Sequence, residues 1–214
     1  MPELQTRQGA IIRSVDSIRK LDQWINQLRD ELPLSDVIDA VSARMRTGTG
    51  EDQYELALAL QHLFIAAGRE RDALPILDEM IERHPDDVRF PISKATLYLY
   101  FLNDPEEALR CIDLALQRAY RTGVFRREAL GVKARILLQL GRGEQLSTVL
   151  EEIMSLQITR DVPDVGRERD FVDRAPPGLI REDILARYNE FRPKRASDGG
   201  SNEPPEYDPP DDVE

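Results

Sequence analysis

The sequence predicts an all-α protein: a right-handed α-solenoid of helix-turn-helix hairpins, with N-terminal helices before it and an acidic disordered tail after it. Three observations predict it. Apolar residues recur at steps of three and four from Ile11 to Leu32 and again from Asp52 to Gln157, with no alternating strand pattern between them. Turn glycines punctuate the second stretch at Gly68 and Gly141. A hairpin-sized unit also recurs, because Ala73 in Arg-Asp-Ala-Leu is matched 35 residues on by Ala108 in Glu-Glu-Ala-Leu. One such hairpin cannot bury its apolar face alone, so at least three must stack, each on its sequence neighbours.

The elements follow in order. Ile11, Val15, Ile18, Leu21, Ile25, Leu28 and Leu32 form the stripe of an amphipathic helix near 8–31, stopped by Pro33. Ser35 stands where an N-cap belongs, ahead of a short helix carrying Val37, Ile38, Val41 and Met45. Thr47-Gly48-Thr49-Gly50 reads as a linker, which divides an N-terminal segment 1–50 from a hairpin region 51–157. In that region two helices of about 14 residues flank Gly68 and end at Pro85. A second pair turns at Asn103, where Asp104-Pro105-Glu106-Glu107 opens the next helix with acids at its positive dipole end, and a third pair turns at Gly141. Past Gln157 the period fades into an extension, 158–195, in which Ile180, Ile184, Tyr188 and Phe191 share one face of a capping helix. Residues 196–214 hold four prolines, two glycines and almost nothing to bury, so chain entropy keeps them disordered.

The spacing resembles tetratricopeptide repeats over about residues 53–157. The first unit offers Leu60, Phe64, Gly68, Ala73, Leu77 and Pro85 at the family's places, with Gln61 where glycine is usual. The second offers Ile92, Ala95, Thr96, Leu99, Ala108, Ile112 and Ala115. The third offers Leu130, Ala134, Leu137, Gly141 and Leu150, with Lys133 and Leu146 departing from the pattern. Pentatricopeptide repeats, which read RNA, have a similar period, but the charge speaks against them.

Charge and composition bound the function. With 41% hydrophobic residues the chain can build a core. Its net charge is −11, and seven of the acids, without one base, lie in residues 196–214, leaving −4 for residues 1–195. A nucleic-acid binder carries a positive surplus, so no DNA partner is expected, and RNA binding is the remotest alternative. Cys111 is the only cysteine, and Arg7, Arg13, Arg19 and Lys20 break any secretory apolar run, so a reduced, cytoplasmic setting is expected. No run reaches the roughly 18–20 apolar residues of a membrane span, and no membrane partner is expected.

Chemistry-bearing patterns are missing. His62 and His84 lie 22 residues apart and Cys111 stands elsewhere, which gives no metal-ligand spacing. There is no Gly-Lys pair for a phosphate loop and no Gly-x-Ser-x-Gly, so neither enzymatic activity nor a cofactor is expected. His84 reads as an exposed loop residue, Cys111 as a buried small hydrophobe.

By resemblance to the family, the inner row of the first helices would carry Glu55, Leu58, His62 and Ile65, then Phe90, Ser93, Leu97, Tyr100 and Phe101, then Glu128, Arg135, Leu138 and Gln139. The ligand groove would thus be lined by His62, Phe90, Ser93, Leu97, Tyr100, Phe101, Arg135 and Leu138. Members that clamp acidic C-terminal peptides carry Lys, Arg and Asn along this row, whereas Leu58, His62 and Ser93 stand there here. The row suits an apolar or amphipathic partner segment. The same aromatics would serve equally as packing beneath helix one or the 179–191 segment. A second feature is a basic patch of Arg118, Arg121, Arg126, Arg127, Lys133 and Arg135, net +5 over residues 117–135, for an acidic partner or the chain's own tail. The expected function is a protein-protein interaction module: an adaptor, scaffold or chaperone for another protein or peptide. The alternative is a structural homodimer joined through the Ile11–Leu32 stripe.

Overall fold

A computed structural model of the chain describes residues 20–47, 51–157 and 171–190, with no strand among the described residues. In chain order, α1 covers residues 20–31, α2 Leu34–Thr47, α3 Glu51–Ala66, α4 Leu74–Arg83 and α5 Arg89–Tyr100. They are followed by α6 Pro105–Thr122, α7 Arg126–Gln139, α8 Gly143–Gln157 and α9 Glu182–Glu190. The first part of the predicted 8–31 helix, residues 158–170 and the acidic tail lie outside the described residues.

Local grammar explains the boundaries. The side chain of Asp104 accepts the Glu107 N–H at 3.0 Å, Pro105 opens α6, and Gly123 closes it at φ 76°. Ser35 is not an N-cap: α2 starts one residue earlier, the Pro33 carbonyl takes the N–H groups of Asp36 and Val37, and Ser35 Oγ donates to Asp36 Oδ1 at 3.1 Å. The helix after Gly68 is shorter than its sequence suggests. A single 3₁₀ turn, Glu70–Ala73, comes first, and α4 follows with ten residues and Pro75 in its first turn. Ala73 and Ala108 are both fully buried, as their matched spacing predicts.

Each helix from α2 to α8 packs on its sequence neighbours, α9 packs on α8, and α5 also packs on α7. Two apolar clusters result, and α5 belongs to both. Phe90 and Leu97 join the first with residues of α1–α4, while Val88, Ala95 and Leu99 join the second with α6–α9. A helix buried on two sides needs no single stripe, which is why Arg-Phe-Pro-Ile-Ser-Lys-Ala-Thr-Leu-Tyr-Leu-Tyr shows none while α6 does.

Leu21 and Ile25 of α1 are buried in the first cluster, with Trp24 and Leu28 packed against it. Residues 20–47 therefore share a core with α3–α5; of the described part of the Ile11–Leu32 stripe, Leu21, Ile25 and Leu28 pack within the chain and Leu32 is exposed. At the other end Ile180, Ile184 and Tyr188 bury one face of the extension on α8, with Phe191 outside the described residues. The buried Ser147 Oγ donates to Gly143 O at 2.9 Å and accepts the Arg181 N–H at 3.0 Å. A Cβ on Gly143 would overlap the Leu179 carbonyl, so this close approach requires glycine.

Candidate functional site

The alternation of buried and open residues along α3, α5 and α7 coincides when Gln61, Ala95 and Ala134 are superposed. All three are buried, and so are Leu63, Leu97 and Ile136 two residues on. Between them His62 is exposed, and Thr96 and Arg135 are half-buried. Around this polar row lie half-buried apolar residues that reach both core and solvent: Leu58 and Ile65 on α3, Ile92 on α5, and Leu138 on α7. Tyr100 and Phe101 are 51% and 45% exposed at the end of α5.

This superposition moves the expected row on α5 by one residue. Phe90 and Leu97 are wholly buried and offer no surface to a ligand; Arg89, Ile92 and Thr96 take the corresponding places, with Ser93 half-buried beside them. The displacement has a visible cause. The left-handed turn residues Gly68, Asn103 and Gly141, at φ 66°, 51° and 67°, stand seven residues after Gln61 and Ala134 but eight after Ala95. Counting back from the turn therefore lands on Thr96 instead of Ala95. The sequence did hold the needed signal: Lys94-Ala95 and Lys133-Ala134 are the same pair, and the lysines make matching ion pairs with Asp78 and Asp113, themselves 35 residues apart.

Polar contacts tie α5 to α7 along this face. Arg135 Nη1 donates to Tyr100 Oη at 2.8 Å, and its guanidinium also lies 5.5 Å from the centre of the Phe171 ring. Gln139 Nε2 donates to Asn103 Oδ1 at 3.2 Å. At the opposite end of α5, the Tyr54 and Phe90 rings pack at a tilt of 58° with centres 4.5 Å apart, and the Arg89 guanidinium lies 4.1 Å from the Tyr54 ring centre. His84 is part of that cluster, 6.0 Å from Phe90 and 6.1 Å from Tyr54, and is half-buried, so it is not the exposed loop histidine of the sequence reading. Burial, with the Asp87 carboxylate close by, pushes the Tyr54 phenol up.

The six clustered cations do not make an open basic patch. Arg118 is 7% exposed and turned inward. Arg121 pairs with Asp86 at 2.6 Å, Arg126 with Glu152 at 2.5 Å and Lys133 with Asp113 at 2.7 Å. Arg135 is engaged by the two aromatics, and Arg127 is half-buried and also engaged. The acids that pair with Arg121, Arg126 and Lys133 sit on neighbouring helices and turns, beyond the sequence window that gave +5.

A cleft of about 700 Å³ separates α6 from α8 on the other side of α7. Its floor is Leu130 and Lys133, its walls include Leu109, Leu116 and Val149, and the Lys133–Asp113 pair together with the Tyr120 Oη–Glu152 bond crosses it. No cluster of metal-ligating side chains occurs among the described residues. No described helix is long and apolar enough to cross a membrane. Comparison with protein-family models, with curated proteins and with solved structures finds no match.

Proposed function

We propose that the chain is a tetratricopeptide-like interaction module of the cytoplasm, in which α3–α8 stack as a right-handed solenoid and the face of α3, α5 and α7 holds a segment of another protein. The observation that supports it best is the shared register of that face. His62, Thr96 and Arg135 repeat on three successive first helices between half-open apolar residues, which suits a partner with one apolar and one polar side. Such a protein acts by shape and apolar burial, as an adaptor, scaffold or chaperone, without chemistry of its own. The test is affinity capture with the parent and with Ile92→Glu, followed by mass spectrometry of the captured proteins. The variant should keep its helical circular-dichroism signal and lose the partners. An identical set of captured proteins on a folded variant would sink the reading.

A further inference from the structure

We propose that Phe171 is the chain's own stand-in for an aromatic residue of the partner: the bound segment sets an aromatic side chain on Arg135, and Phe171 competes for that place. The proposal rests on the binding-face reading above and adds the partner's chemistry and a control on its entry. Of the row His62, Thr96 and Arg135, the first is exposed and the last faces a ring. The chain that follows α8 returns to α7 to put it there. The Phe171 ring centre is 5.5 Å from the Arg135 guanidinium, Val172 is 4% exposed within the second cluster, and the Leu179 carbonyl reaches Gly143 at the start of α8. The face thus already has an occupant of known chemistry at its α7 end.

Two features make this occupant replaceable. Phe171 is half-buried and packs on the second cluster from outside, whereas Val172, Ile180, Ile184 and Tyr188, each 4% exposed or less, anchor the extension without it. A guanidinium, moreover, selects a ring by its π-face, whichever chain carries that ring. Arg135 also donates to Tyr100 Oη at 2.8 Å, so it stays oriented while one ring leaves and another arrives. Exchange of one aromatic for another is close to neutral by itself. A segment that also covers Leu58 and Ile92, half-buried on α3 and α5, buries apolar area that Phe171 leaves open, and that surplus drives the exchange. The occupant is therefore an aromatic side chain at one end of an apolar segment from another protein.

The experiment titrates the full chain with two capped tripeptides, Ala-Phe-Ala and an analogue carrying cyclohexylalanine, which keeps the bulk and lacks the π-face. Binding is read from the NMR shift of the Arg135 side-chain N–H. Phe171→Ala should keep the parent's helical circular-dichroism signal and bind the phenyl peptide at least about five-fold tighter than the parent does, because the tethered competitor is gone. In that chain the cyclohexyl peptide should bind at least about three-fold more weakly than the phenyl one, and adding Arg135→Gln should erase the difference. Equal binding to the parent and to Phe171→Ala, equal binding of the two peptides, no saturable shift at Arg135, or a reduced helical signal in Phe171→Ala would each overturn the proposal. So would a dimer formed by the Phe171→Ala chain, which would give the place to a second copy. If any of these is found while Ile92→Glu still loses the captured proteins, the binding face stands and only the stand-in is removed.

Discussion

The guanidinium of Arg118, on α6, donates to the main-chain carbonyl of Asp87 at 2.9 Å and reaches the carbonyls of His84 and Ile81 at 3.2 Å each. One buried side chain thus binds the last turn of α4 and the turn into α5, where helix-end carbonyls lack intrahelical donors and the His84 carbonyl also accepts the Asp87 N–H at 3.0 Å. Burial lowers the Arg118 pKa, with Arg121 nearby adding to the effect. Removing the fork leaves three acceptors without it, so Arg118→Met should cost about 2–4 kcal/mol, read as a lower urea midpoint at unchanged slope. Arg118→Lys should recover only part, because an ammonium cannot span three carbonyls in the plane of a guanidinium. A midpoint equal to the parent's for Arg118→Met would show that these bonds carry no net stability.

Ala108 is wholly buried on α6, in the cluster that also holds Ala95 and Leu99 of α5. Ala108→Glu buries a carboxylate without a partner and should lower stability by at least about 3 kcal/mol, enough to drop the melting temperature by many degrees. Glu at the neighbouring exposed position, Arg110→Glu, should stay within about 1 kcal/mol of the parent. Equal melting of the two variants would mean that the hairpin register is wrong.

Gln61 is 6% exposed, and its Oε1 meets no hydrogen-bond donor. It occupies the place that Ala95 and Ala134 hold on α5 and α7. A buried acceptor left unpaired costs more than an apolar group of the same shape, so Gln61→Met should raise stability by about 1 kcal/mol. A fall in melting temperature would show instead that the amide is satisfied in solution.

The helices were legible because their signals are local. Asp104-Pro105 and the turn residues Gly68, Asn103 and Gly141 each act within a turn or two, and the buried faces of Val37, Ile38, Val41 and Met45 and of Ile180, Ile184 and Tyr188 follow from helical spacing alone. What failed depends on distant partners. The cations of residues 117–135 looked like a patch because Asp86 and Glu152 fall outside that window. Arg118 looked like a surface charge because its acceptors are backbone carbonyls more than 30 residues away, which no side-chain pattern announces. On α5, Phe90 and Leu97 were assigned to the open face because one added residue before Asn103 rotates the helix by about 100° relative to a count from its turn.

Cys111 lies on α6, half-buried and free. Burial pushes its thiol up to about 11, Lys94 draws it down in part, and the carboxylates of Glu107 and Asp78 raise it. Near pH 8 its thiolate is then about a hundred-fold scarcer than that of an ordinary cysteine, and the thiolate is the reactive form. Iodoacetamide should therefore modify the folded chain about a hundred-fold more slowly than the same chain in urea, with a rate that climbs as the pH approaches 11. The same shift has a consequence for stability. Above the ordinary thiol range the unfolded chain loses this proton first, so the unfolded state gains and stability falls as the pH rises toward 11. Cys111→Ala removes that component and should flatten the alkaline limb of the stability profile. Equal alkylation rates in buffer and in urea would show the thiol to be open to solvent and its ionisation ordinary.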